Sequence, residues 1–159
     1  MKYIRWFSAD SDVAKHSKFT SMLHRFDHIH VVAKFRMGCH WLNCETARKA
    51  DGVCIPRSKR VCTLCDFNRC EDEMHVFECP FYTDIRLRYQ NLFRHICLDE
   101  FQDHDMVVWS LEFTDDQFRK FMNGYNDPAF WPDLANYLIA CRKKRQEGLG
   151  AIASPSNIT

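Results

Sequence analysis

Apolar residues between Lys18 and Met37 recur at spacings of three and four: Phe19, Met22, Leu23, Phe26, Ile29, Val32, Ala33 and Phe35. That period predicts an α-helix with one apolar face, and Gly38 stands where such a helix stops. His24, His28 and His30 fall in this stretch and are read as surface histidines. Trp41, Leu42, Thr46 and Ala47 predict a shorter helix, broken at Asp51-Gly52. Pro56 then holds its predecessor extended, making 55–60 a basic, extended run.

Thr83 and Asp84 are placed to cap a helix running to about Cys97, with Ile85, Tyr89, Leu92 and Ile96 as its stripe. Thr114-Asp115-Asp116-Gln117 has the form of a capping box. It predicts a helix through Phe118, Phe121 and Met122, stopped by Asn123-Gly124. A last helix is expected from Pro132-Asp133, turning Leu134, Tyr137, Leu138 and Cys141 inward and ending in Arg142-Lys143-Lys144-Arg145. Basic residues suit that end of the helix dipole. The fold class is therefore mostly α: a small helical domain around a central Cys-Cys-His-Cys zinc knuckle. Residues 1–17 form a poorly defined N-terminal segment, 18–147 the zinc-binding domain with its knuckle at 62–79, and 148–159 a disordered tail.

Composition narrows the class. Of 159 residues, 46% are hydrophobic and 14% aromatic, enough for a packed core. No apolar run approaches the ~18 residues a membrane span needs. The first residues lack the sustained apolar region of a secretory signal, so an intracellular chain, cytoplasmic or nuclear, is expected. The net charge of +1 is unevenly placed. Residues 1–60 hold twelve Lys/Arg against five Asp/Glu, and the remainder holds ten against sixteen. A basic N-terminal third suits a surface facing a polyanion.

Nine cysteines without an export signal read as metal ligands and buried thiols, and spacing separates the two. Cys62-Thr63-Leu64-Cys65 is followed by His75-Val76-Phe77-Glu78-Cys79. Cysteines two residues apart share one side of a tight turn, and residues four apart share a helical face. Three thiolates and one imidazole are a donor set of structural zinc, with no position left for water or substrate. A catalytic metal is not expected. Cys39, His40, Cys44 and Cys54 are a possible second set without recognisable pairing, Cys70 a possible competitor, and Cys97 and Cys141 core residues. Glu71, Asp72 and Glu73 are read as acids favoured by the dipole at the start of the ligand-bearing helix.

Other chemistry is set aside. Phe113-Thr114-Asp115-Asp116 resembles a polymerase palm turn, but it opens a helix and is read as a cap. The His-x-Glu and Pro-Cys-x-x-Cys pattern of deaminases does not occur. Arg36, His40, Arg48, Lys49, Arg57, Lys59 and Arg60, interleaved with Trp41 and followed by Phe67, have nucleic-acid-binding composition. Cations suit phosphates, and Trp41 or Phe67 suits unstacked bases. The alternative is a zinc-stabilised protein–protein interaction module in which acidic residues 99–105 and exposed aromatics dock a partner.

One resemblance spans these features. Arg36-Met37-Gly38-Cys39-His40-Trp41-Leu42, Glu45, Arg48, Pro56-Arg57 and Arg60 lead into Cys62-x-x-Cys65. Glu71-Asp72-Glu73-x-His75-Val76-Phe77-Glu78-Cys79-Pro80-x-Tyr82 and Ile85-Arg86 follow. The stretch 30–90 resembles the C-terminal zinc-knuckle region of reverse transcriptases from non-LTR, LINE-like retrotransposons, and 130–147 resembles their ending more loosely. The resemblance implies zinc on Cys62, Cys65, His75 and Cys79, and a tail that holds RNA or DNA. It implies no enzyme in this chain, because the family's polymerase and endonuclease domains do not occur in it. A tail fragment, a retroelement remnant and a tail put to another use all fit.

Overall fold

The computed structural model describes residues 18–50, 52–93, 112–123 and 127–153. Among them the chain is mostly helical, and a two-stranded hairpin is the sole sheet. Residues 1–17, Cys97, the acidic stretch 99–105 and 154–159 lie outside the described residues.

The helix predicted over Lys18–Met37 forms as two pieces, α1 (Lys18–Met22) and α2 (Phe26–Arg36), with Arg25 extended at the junction. The break resets which residues face the core. Phe26, expected in the apolar stripe, is 81% exposed, whereas His28, expected at the surface, is buried. Gly38 ends α2 as its sequence position predicts. It adopts φ +67°, its N–H bonds to the Phe35 carbonyl, and the Cys39 N–H bonds to the Lys34 carbonyl at 2.9 Å. This pair of bonds is the Schellman closure, which needs a left-handed residue.

Leu42 leads into the single turn α3 (Asn43–Thr46). The strands β1 (Lys49–Ala50) and β2 (Val53–Cys54) then pair antiparallel, with Lys49 opposite Cys54. Pro56 is extended as predicted, but Arg57–Lys59 coil into a 3₁₀ turn. The short helix α4 (His75–Glu78) is followed by a 3₁₀ turn at Pro80–Tyr82 and by α5 (Thr83–Arg88). Tyr82, and not Thr83, takes the cap position of α5, while the Thr83 hydroxyl donates to the Pro80 carbonyl at 2.8 Å. The predicted continuation toward Cys97 gives way to a 3₁₀ turn at Gln90–Phe93, although Ile85 and Leu92 are buried as expected.

The capping box forms as predicted. The Thr114 hydroxyl accepts from the Gln117 N–H, and the Gln117 side chain accepts from the Thr114 N–H at 2.8 Å, opening α6 (Asp115–Met122). The last helix, α7 (Phe130–Ala153), starts before Pro132 and runs through Gly148 into the segment read as tail. Gly148 is there for packing: a Cβ on it would stand 2.8 Å from the Phe81 ring and 3.1 Å from Leu64.

Phe77, on α4, is the centre of the core. Its ring meets those of Phe35, Phe93, Phe113, Phe118, Phe121 and Tyr137 at centroid distances of 5.1–6.3 Å. Helix α7 lies along α2 and reaches α5. The Tyr137 hydroxyl donates to the Val76 carbonyl at 3.0 Å, tying α7 to the turn beside Phe77. Four turns of sequence thus converge on one four-residue helix whose first residue is His75. No helix among the described residues is long and apolar enough to cross a membrane.

Candidate metal centre

The centre is built from a closed loop. Val61 and Cys70 form an antiparallel bridge, the Cys62 N–H bonds to the Arg69 carbonyl at 2.9 Å, and the Glu71 N–H bonds to the Arg60 carbonyl at 3.0 Å. These bonds bring 60–62 beside 69–71 and push Cys62-x-x-Cys65 into the tip. The chain returns through Asn68, which takes φ 49°, a left-handed conformation asparagine tolerates better than most residues. The Leu64 N–H points at Cys62 Sγ at 3.4 Å, favouring a thiolate there.

Asp72 starts the second half. Its Oδ1 accepts from the N–H groups of Met74 and His75 at 3.2 and 3.1 Å. That carboxylate satisfies backbone donors that a helix leaves open at its start. The Cys79 N–H returns to the His75 carbonyl at 2.7 Å. His75 and Cys79 therefore stand one turn apart and face the loop tip.

The four donor atoms converge. One donor from each of Cys62, Cys65, His75 and Cys79 lies within 4.8 Å of all the others. Cys62 Sγ and Cys79 Sγ are 4.0 Å apart, and Cys65 Sγ is 3.4 Å from His75 Nε2. Bonds of about 2.3 Å to sulfur and about 2.0 Å to nitrogen, at tetrahedral angles, give edges of about 3.8 Å and 3.5 Å. The cluster has the dimensions to hold a metal ion. Cys62, His75 and Cys79 are buried and Cys65 half-buried, so its one open side is toward Cys65.

Electrostatics favour an ion. Hydrogen bonding from Cys79, against the opposing effect of burial, pulls the Cys62 thiol well below its usual range, and the same hydrogen bond drives Cys79 up. Burial also raises Cys65. Without an ion, one sulfur is a thiolate and its neighbours hold protons; a dication allows all three to ionise. Arg86, wholly buried, donates to the Phe77 and Cys79 carbonyls at 2.9 and 2.6 Å and to the Thr83 hydroxyl at 2.8 Å. It thereby fixes the backbone around Cys79.

The acids before His75 do more than favour a helix start. Glu71 and Glu73 are buried, each carrying ion pairs to distant segments. Glu71 accepts from Arg145 Nε at 2.6 Å and Nη2 at 2.8 Å, and from the Asn43 N–H at 3.0 Å. Arg145 also donates to Asn43 Oδ1 at 2.9 Å. Helix α7 is thus pinned to the loop through Arg145, which the sequence pattern placed only in a basic helix end.

The basic residues expected at nucleic acid separate into two groups. Arg36 is buried, its guanidinium 5.5 Å from the centroids of both Phe19 and Trp131, and it donates to the Met122 carbonyl at 2.5 Å. It has no access to a phosphate. Arg57 bridges Glu45 at 2.6 Å and Glu73 at 2.9 Å. Arg60 donates to the carbonyls of Ile55 and Cys44. Trp41 packs half-buried against the core. Arg36 is thus an internal support, while Arg57, Arg60 and Trp41 are half-buried and engaged with the protein's own groups. Arg48, Lys49, Lys59 and Phe67 are exposed, and so is Arg69, which the sequence reading did not name for this role and which pairs with the buried Glu78 at 3.0 Å.

A second cluster is partly foreseen. His40, Cys44 and Glu73 also place one donor each within 4.8 Å of one another, all three buried. Cys39 and Cys54, the other thiols considered with them, are exposed. Cys70 lies outside the first cluster, its Sγ 3.2 Å from the Arg57 carbonyl. Comparison with protein-family models, curated proteins and solved structures gives no match to this chain.

Proposed function

We propose that the chain is a zinc-stapled, nucleic-acid-binding accessory module without polymerase activity of its own. Zinc fits the first cluster because three thiolates and an imidazole at tetrahedral spacing are its preferred structural donors. Its four protein ligands leave no position for substrate, so the metal's role is to hold the loop.

The nucleic-acid reading rests on what that loop presents. Three segments are bonded in series: the β1–β2 hairpin, the turn Arg57–Lys59 and the loop returning through Arg69. They expose Arg48, Lys49, Lys59 and Arg69, with Phe67 55% exposed among them. Lys49 and Lys59 have no ion-pair partner among the described residues. Arg48, with its side chain 63% exposed, pairs with Glu45. Cations beside one exposed ring are the means of binding a single strand: charge along the backbone and a face for a base.

The resemblance of residues 30–90 to the C-terminal region of LINE-like reverse transcriptases supports the same reading, with this chain as the tail of such an element or its descendant. Binding of fluorescent single-stranded RNA and DNA oligonucleotides across a salt series tests it. The proposal expects affinity to fall with a log–log slope of a few units, as for a handful of released phosphate counterions. No binding at low salt, or a flat response, removes it.

A further inference from the structure

We infer that His40, Cys44 and Glu73 form a second, three-ligand site for a divalent transition-metal ion, beside the four-ligand centre and sharing its 71–75 segment. The three donors lie within 4.8 Å of one another, closer than three unrelated core side chains need to be. They are 7%, 0% and 3% exposed, so the three donors face one another away from bulk solvent.

Each ligand is held by structure that forms for other reasons. His40 follows the Gly38 closure of α2, and its ring packs on Phe35 at 5.4 Å. Cys44 sits on α3, where its own N–H bonds to the Glu71 carbonyl at 3.1 Å. Glu73 is fixed by Arg57, which takes its Oε2 at 2.9 Å and leaves Oε1 turned toward His40. An outer partner on a ligating carboxylate is a regular feature of metal sites.

One atom of the cluster, His40 Nε2, is buried without a hydrogen bond. It is 3.1 Å from Glu73 Oε1 yet is not aligned to hydrogen-bond with it.

Uptake of the ion releases the Cys44 thiol proton to solvent and moves the ring proton of His40 from Nε2 to Nδ1. The long 3.4 Å contact from the Leu42 N–H to Nδ1 is given up in exchange. One sulfur, one nitrogen and one oxygen select a borderline cation such as Zn²⁺ or Co²⁺ over a hard one. Three protein ligands leave a coordination position open, unlike the neighbouring centre.

Native mass spectrometry and stepwise cobalt titration of the full chain test this, in a background with Cys39→Ser and Cys54→Ser to remove exposed thiols. The expected result is a second bound ion, whose optical spectrum adds the sulfur charge transfer of one thiolate after the intense three-thiolate spectrum is complete. Cys44→Ala then retains a single ion with the first spectrum unchanged. A single ion in the unsubstituted cluster, or a second ion that survives Cys44→Ala, overturns the assignment. If Cys44→Ala does not fold, the cobalt titration of the background protein decides alone, since a second phase without thiolate absorption also overturns it.

Discussion

Arg145 and Glu71, 74 residues apart, form a two-pronged ion pair at 2.6 and 2.8 Å with both side chains out of water. One end lies on the last helix and the other four residues before His75. Removing one member strands a buried charge, which costs about 3–5 kcal/mol. Urea denaturation of Arg145→Ala should therefore show a loss of that size. Arg142→Ala, exposed on the same helix, should stay within about 0.5 kcal/mol of the parent. Equal stabilities for the two variants would contradict the pinning of α7 to the loop.

Phe77 lies between the metal loop and the rest of the core, in contact with six other rings. Phe77→Ala should destabilise by about 3–5 kcal/mol through the cavity it leaves. The same variant should bind metal more weakly, because α4 presents His75 from this position. Unchanged metal affinity in a folded Phe77→Ala protein would show that the loop holds itself without the core.

Thr114→Ala removes the reciprocal cap of α6 and should cost about 1 kcal/mol, read from the shift in denaturation midpoint. Metal content should not change, since the bonds of the Thr114 cap are made to Gln117, and α6 meets α4 through Phe118 and Phe121 packed on Phe77.

Lys49 and Lys59 separate the exposed edge from the buried arginines. Replacing either by alanine should lower the salt slope of oligonucleotide binding by about one, as loss of one phosphate contact does. Arg36→Met should leave that slope unchanged while lowering stability, because Arg36 is enclosed by Phe19, Trp131 and Met122. Equal effects on binding from Arg36 and Lys59 would contradict the division.

The clustering of Cys62, Cys65, His75 and Cys79 was legible because their spacing is local: two residues put sulfurs on one turn, and four put donors on one helical face. The caps at Gly38 and Thr114 were legible for the same reason. What spacing does not carry is the partner of a charge. Arg36, Arg86 and Arg145 look like any surface arginine in sequence, and only their bonds to Met122, Cys79 and Glu71 make them internal. Glu73 was read as a helix-start acid because its neighbours His40 and Cys44 are some thirty residues away. The break at Arg25 escaped detection because Phe26 fits the helical period on either side of it, and a kinked pair shares the periodicity of one helix. Gly148 was read as the start of a tail, when its missing Cβ is what admits Phe81 and Leu64 to α7.

The most direct test is X-ray absorption at the zinc edge on full-length protein loaded with one equivalent of zinc. Three sulfur scatterers at about 2.3 Å and one nitrogen at about 2.0 Å are the expected shell. A shell dominated by oxygen, or an ion lost on gel filtration, would contradict a metal held by Cys62, Cys65, His75 and Cys79.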